Sequence, residues 1–327
     1  MQTASLKTPS SSPVAAVVKA VAAGVIIGLC IAIFPVVPVL LPFLVLPLAH
    51  VVARWGARVG AVVIVITVGL IYPGMGLSAA VLALFLLAGV GMVLGEGLRR
   101  GWSFSRTFGL TVGAGFLAFV LWGVVARLAF GLNLSAFKQS GYAMADDLGA
   151  RYSQMGISQA SAQTAAEWLH KSVDIIPFLA PGLAGMGAVL LAACTLGLAY
   201  WIFPRLRNNV AVAWSFRGFR MHWATAYTSI IALAMLLFWG GDAVWRHVLV
   251  YVGINVLLVS QTLFFVQGLA LACWFARVGK LGPGSRGMLY FVAVLGQVFL
   301  QLTGLVGLFD SWVDFRKRFA QKTLKKG

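Results

Sequence analysis

The side chains able to do chemistry are few and scattered. Cys30, Cys194 and Cys273 each sit inside an apolar run, with neither a second Cys nor a His at ligand spacing. That spacing indicates no zinc site and no disulfide framework, and the three read as small buried hydrophobes. No two histidines stand at i, i+4 and no carboxylates cluster. A membrane-embedded serine protease needs an exposed nucleophile beside a His on a neighbouring helix, but Ser78 lies by a turn and His50 and His222 sit at loop edges. The run Gly282-Pro283-Gly284-Ser285-Arg286-Gly287 lacks the spacing and strand context of a phosphate loop and reads as an interhelical turn. The sequence is therefore expected to belong to a protein that is not an enzyme and needs no metal or cofactor.

Neutral amides at membrane depth are the next candidates, because an unpaired polar group in hydrocarbon is costly. Asn255, Gln261 and Gln267 occupy one long apolar run, and Gln297 and Gln301 stack at i, i+4 in the last. At 100° per residue the first three point apart, whereas Tyr251, Asn255 and Thr262 share a stripe. Two readings stand. These amides bond helix to helix, or Asn255, Gln297 and Gln301 line a cavity with Pro38 and Pro42 of a Pro-rich segment. Glu96, with Arg99 and Arg100 at i+3 and i+4, reads as a salt-bridged helix end.

Small residues form a second pattern. Ala16, Ala20, Gly24 and Gly28 recur every fourth residue, a ridge on which another helix can approach closely. It is a docking surface for a partner subunit or an internal packing face, since Ala180, Ala184, Ala188 and Ala192 draw a similar ridge.

What must position these residues is a set of membrane helices. Of 327 residues, 61% are hydrophobic and 10% charged, and the mean hydropathy is +0.93. A soluble domain carries about a quarter charged residues, so a soluble enzyme, a disordered tail protein and a secreted disulfide scaffold are excluded. A hydrocarbon core of about 30 Å takes about 20 apolar residues of helix. Uncharged or nearly uncharged runs cover residues 14–34, 35–52, 59–72, 77–95, 108–130, 175–203, 224–240, 248–276 and 288–309. The first lacks a signal-peptide cleavage site and reads as an uncleaved helix. The second carries Pro35, Pro38, Pro42 and Pro47 and is expected to be broken. The expected fold is an all-α, polytopic integral membrane helix bundle of about eight to nine spans. Its parts are a disordered segment at residues 1–13, an N-terminal bundle at 14–130, an external loop at 131–174, a C-terminal bundle at 175–309 and a basic tail at 310–327. Within the loop, Ser158 is placed to cap a helix whose Ala165, Leu169, Val173 and Ile176 form one apolar stripe, either interfacial or packed on neighbouring loops.

Twenty-five Lys and Arg against eight Asp and Glu give a net charge of +17. Nearly every basic residue falls in a short loop, at a span end or in the tail, so the excess is an orientation signal and not a nucleic-acid surface. The loops around Arg54, Arg99, Arg205 and Arg277 are placed in the cytoplasm, as is the N-terminus, with residues 131–174 outside. A single last crossing would then leave Arg316, Lys317, Arg318, Lys322, Lys325 and Lys326 outside. The favoured solution is a cytoplasmic tail and an even number of crossings, through a re-entrant or double pass or a run that does not cross.

The stretches Pro35-Val36-Val37-Pro38, Leu46-Pro47-Leu48-Ala49 and residues 54–61 resemble the early region of substrate-binding S components of energy-coupling-factor transporters. That resemblance implies a solute cavity, and a first-helix ridge at Ala16, Ala20, Gly24 and Gly28 that docks on a membrane coupling subunit. The whole chain is similar to the YybS-like family of bacterial membrane proteins (domain of unknown function 2232). The matching stretches are residues 95–101, 266–270 and, most specifically, 307–318. This resemblance implies a fold more than an activity. The extra C-terminal helices and long outer loop depart from S components.

In the last stretch, Asp310, Asp314 and Arg318 stand at i, i+4 and i+8, with Trp312 and Phe315 placed for the headgroup level and Arg316 directly after them. This reads as an interfacial helix drawn to anionic lipid, or as a dock for a cytoplasmic partner. Function is expected in a bacterial inner membrane, with lipid as the first partner and no nucleic acid. The expected role is small-solute binding or uptake; the alternative is a membrane scaffold or assembly factor acting through protein contacts.

Overall fold

The computed structural model describes residues 14–15, 17–18, 21–22, 41–131, 133–156, 158–202, 216–240 and 243–324. The ridge Ala16, Ala20, Gly24 and Gly28, together with Cys30, Pro35 and Pro38, lies outside the described residues. All regular structure among those residues is helical.

From Leu41 the second apolar run is a continuous helix, α1 (Leu41–Trp55). Pro42 sits in its first turn, where no N–H is needed, and Pro47 costs one internal bond. Then come α2 (Ala57–Leu86), a π turn (Leu87–Gly91), α3 (Met92–Arg100) and α4 (Phe104–Phe130). The stretch Ala57–Arg100 reads as one apolar helix of 44 residues, but it is a hairpin. Gly76 is non-helical at φ 81, ψ 173, and beyond it the chain folds back. A Cβ on Gly60 would lie 3.0 Å from Met92 Sδ, and one on Gly56 3.4 Å from an Arg99 guanidinium nitrogen. In a straight helix Gly60 and Met92 would stand about 48 Å apart. Ile71 packs with Ala80 and Ala83 at the hairpin tip, and Val63 and Ile64 with Leu87 midway. Residues 57–75 and 77–100 are thus two antiparallel helical arms, which correspond to the separate apolar runs 59–72 and 77–95.

The long polar loop is itself a helical hairpin. α5 (Leu134–Gln154) runs out and α6 (Gln159–Ile202) runs back and continues into the bundle. Ser158 caps α6 by accepting from the Ser161 amide at 3.3 Å. Val173 and Ala162 face α5, where Gly141 and Gly149 leave room for Val173 and Ala166. The stripe thus packs on a partner helix, and Ile176 at its end is exposed. Lys138 and Tyr142 both donate to Asp174, and Asp146 contacts His170 at 3.0 Å. The portion 159–176 extends about 27 Å beyond the bundle.

The second bundle holds α7 (Ala226–Leu236), α8 (Val244–Val278), α9 (Pro283–Leu300) and α10 (Leu302–Val313), with α11 (Phe315–Leu324) as the tail. α7 runs antiparallel to α8, with Ser229 Oγ donating to Ser260 Oγ at 2.9 Å and Gly253 against the Ala232 carbonyl. α9 and α10 meet at 101° at Gln301. α9 climbs beside α8, and α10 then turns back. Gly304 sits against Gln261, Gly307 against Phe264, and Asp310 and Ser311 against Gln267. Phe319 finally reaches Trp274 and Phe275, near the end of α8 from which α9 set out. The last predicted run is therefore a pair of helices bent at Gln301, whose second arm returns along α8 toward the end from which the first set out. Among the described residues, every predicted apolar run from residue 41 onward contains helix. The departure from about eight to nine spans lies in this last run, and in the short lengths of α1 and of Trp223–Leu236.

Candidate functional site

One end of the bundle gathers the basic residues. Gly56 lies beside Arg99; Phe104 stacks on Phe108, both meet Phe219 edge-on and Phe104 also meets Phe216 edge-on; Arg220 reaches Asp314 at 2.6 Å. These contacts bring Arg54, Arg58, Arg99, Arg100, Arg106, Arg217, Arg220, Arg277, Lys280, Arg286, Arg316, Lys317 and Arg318 to the same side. The acids among the described residues there are Glu96, Asp310 and Asp314. Glu96 takes Arg99 and Arg100 at 2.9 and 2.6 Å, the predicted salt-bridged helix end. The opposite end carries Asp146, Asp147, Glu167 and Asp174 on the α5/α6 hairpin.

The tail is locked to this basic end. Asp310 is fully buried; it accepts from Gln267 Nε2 at 3.3 Å and from the Phe315 amide at 3.2 Å, and lies 3.5 Å from Arg316. Gln267 Oε1 accepts in turn from the Met221 amide at 2.9 Å. Arg316 donates to the Phe219 carbonyl at 3.2 Å, and Arg220 to the Ser311 carbonyl at 3.1 Å. The expected ladder of Asp310, Asp314 and Arg318 along one helix is not what forms. Asp314 adopts a left-handed conformation at φ 49, ψ 65, which ends α10 and swings its carboxylate onto Arg220. Burial raises the Asp314 carboxyl, but the Lys317 amide and the Arg220 guanidinium outweigh it and hold the group below its ordinary range. Arg318 and Trp312 are exposed, Trp312 against Tyr227 and Phe309.

Between α6, α8 and α9 lies a cleft of about 920 Å³. α9 touches α8 and α10 and buries no residue, so it stands away from α6. Leu190, Cys194, Gly197 and Tyr200 recur on the α6 wall; Phe265, Leu269 and Cys273 form the floor; Tyr290 faces them from α9. Arg217, Arg277, Lys280 and Arg286 ring the mouth. A second cavity of about 550 Å³ adjoins it, lined by Arg220, Trp274, Asp314, Arg316 and Lys317, and shares Arg217 and Arg277 with the first.

The predicted cavity residues are elsewhere. Asn255 accepts from the Gly182 amide and donates to the carbonyls of Phe178 and Tyr251, at 2.8 and 2.7 Å, so it bonds α8 to α6. Gln297 accepts from the Gly304 amide at 2.8 Å, holding α9 to α10, and Gln301 is the left-handed hinge between them. Pro42 is buried in the α1 packing face. None of the four lines either cavity. The cleft was legible only in part: Cys194, Gly197 and Tyr200 form a small-to-aromatic stripe on α6, and the basic mouth was visible as loop charge. Cys194 is exposed to the cleft and is not a buried hydrophobe.

Long apolar helices, a hairpin folded within the bundle and charge sorted to the ends define a polytopic integral membrane protein. The chain belongs to the family described as Predicted membrane protein (DUF2232), whose model matches residues 22–311. No curated protein and no solved structure matches it.

Proposed function

We propose that this chain is a small-molecule-binding protein of a bacterial cytoplasmic membrane, acting in binding or uptake, and that its site is the cleft between α6, α8 and α9. The supporting observation is the cleft itself. Its volume of about 920 Å³ lies in the range of ligand sites, roughly 300–1,000 Å³, and its largely apolar walls, with the polar atoms of Tyr200 and Tyr290 among them, meet four basic side chains at one mouth. The basic end faces the cytoplasm under the positive-inside tendency, so the cleft opens from that side. Small-residue docking on a coupling subunit, as in S components, rests with Ala16, Ala20, Gly24 and Gly28.

The experiment is purification in mild detergent followed by mass spectrometry of co-purifying molecules, on the natural chain and on Gly197→Phe. Nothing lies within 4 Å of a Cβ at Gly197, so a larger side chain leaves the backbone without a clash there and is directed at the cleft that Gly197 lines. A small molecule retained by the natural chain and lost from Gly197→Phe, at equal thermal stability, is the expected result. Equal retention by both would refute the assignment.

The α5/α6 hairpin favours the scaffold reading as a second proposal. It projects Met144, Met155 and Trp168, each about two-thirds exposed, and such a surface suits protein contact. Recovery of a stable protein partner that is lost from Trp168→Ala, with no retained small molecule, would favour it.

A further inference from the structure

We infer that the cleft takes an anionic amphiphile, with a phosphate-type headgroup between Arg217 and Arg277 and an apolar chain along α6 and α8. This rests on the cleft being a ligand site and adds the chemistry of the ligand. The first observation is the adjacency of two unlike spaces. An apolar cleft and a strongly basic cavity share Arg217 and Arg277 as a common wall. One molecule that fills both must be apolar at one end and anionic at the other.

The second observation is the state of the charges. Arg220, Arg316 and Lys317 all have carboxylate partners in Asp310 or Asp314. Among the described residues, no carboxylate stands in ion-pair reach of Arg217, Arg277, Lys280 or Arg286. Four like charges converging at a cleft mouth repel one another, and a bound anion relieves that repulsion. Arg316 adds to this. Its Nε and Nη2 are buried beneath the wall of the basic cavity, with Asp310 3.5 Å from Nη2, and they add positive charge there without opening onto the space. Phosphate oxygens offer several acceptors to the guanidinium groups of Arg217 and Arg277 and match their planar fork.

The third observation concerns access. α9 is held at its far end, through Gln297 and Thr303, and buries no residue on the α6 side. Leu190 and Cys194 are exposed on the α6 wall. A chain can therefore enter sideways from the bilayer while its headgroup stays at the cytoplasmic surface, the geometry of a basic pocket between helices that holds an anionic lipid. The exposed Trp312 and Tyr227 stand near this level, where aromatic side chains meet headgroups.

The test uses the full chain in nanodiscs of phosphatidylcholine, titrated with phosphatidylglycerol and read by native mass spectrometry. Four proteins are compared: the natural chain, Arg217→Gln/Arg277→Gln, Gly197→Phe, and Arg127→Gln/Arg246→Gln as a control at the opposite end. A basic residue contributes about fivefold to such binding, so the first double variant is expected to lose phosphatidylglycerol about thirtyfold while the control is unchanged. Gly197→Phe is expected to exclude the lipid at unchanged charge, and millimolar inorganic phosphate not to displace it. Displacement by inorganic phosphate would overturn the amphiphile in favour of a free anion. Equal retention of both lipids, or an unchanged affinity of the double arginine variant, would overturn the anionic headgroup. If Gly197→Phe still loses its ligand in that event, the cleft assignment survives; if it also binds normally, both proposals fall.

Discussion

At the residue scale, a few backbone positions carry the architecture. Gly76 sits at φ 81, ψ 173, a region that only glycine occupies without strain, and nothing lies within 4 Å of a Cβ placed there. Gly76→Ala is therefore a test of backbone conformation alone. It is expected to destabilise the protein by about 1–3 kcal/mol, read as a lowered thermal midpoint in detergent. Gly74→Ala, equally unobstructed and within the helical run, is expected to be neutral or slightly stabilising. Equal effects from both would show that the tip is not the constraint. Gly307 is the opposite case, since a Cβ there would run into the Phe264 carbonyl and the Gly268 nitrogen. Gly307→Ala must push α10 off α8, and the tail lock should loosen with it. The turn at Gly76 was legible because Pro and Gly punctuate an uncharged run. The contact of Gly307 with Gly268 was not, because in a chain with 37 glycines spacing alone does not say which pairs meet.

Elements in this protein are decided by partners more than by their own pattern. Residues 57–100 look like one apolar helix by length and hydropathy, and contacts such as the approach of Gly60 to Met92 show that it is folded into two. The amides of Asn255, Gln267 and Gln297 were legible as costly polar groups, but not in their direction. Periodicity places a side chain on a face without naming the helix opposite it. The structure uses all three to hold helices together, and it puts the open space where small and apolar residues leave α9 standing apart. The tail shows how charge completes such an element. The Asp314 carboxyl is held below its ordinary value. Its contribution is therefore complete above the unfolded value of about 3.9 and is lost as pH falls through the lower folded value. Asp314→Asn should mimic that loss at neutral pH, at a cost of about 1 kcal/mol or less for one partly exposed pair. Hydrogen exchange across residues 315–319 would report it as faster exchange, with the α5/α6 hairpin unaffected. Unchanged protection would assign the docking to Asp310 and Gln267 alone.

For the whole molecule, the question that charge raised is answered by geometry. Counting runs puts the tail on the side opposite the loop of Arg277, because a run of 22 uncharged residues at 288–309 is long enough to cross and nothing in its composition marks a bend. The bend is made by Gln301 in a left-handed conformation and by the close seat of Gly304 and Gly307 on α8. Composition shows neither the dihedral nor the seat. Because α10 returns along α8, the loop of Arg277 and Lys280 and the tail of Arg316 to Arg318 fall at one end of the bundle, with most of the basic residues among those described. Single cysteines at Lys280, Arg318 and Met155, in a chain whose three native cysteines are replaced by alanine, test this directly with a membrane-impermeant maleimide. Intact cells should label the residue-155 variant and leave the 280 and 318 variants unlabelled until the membrane is opened. Labelling at 318 together with 155 would make the last pair a true crossing and separate the tail from the loop at residue 280. Labelling at 280 and 318 together, with 155 protected, would keep the re-entrant pair and invert the whole bundle. The cleft mouth would then open away from the cytoplasm, because Arg217, Arg277 and Lys280 are fixed to that same end by the fold and move with it.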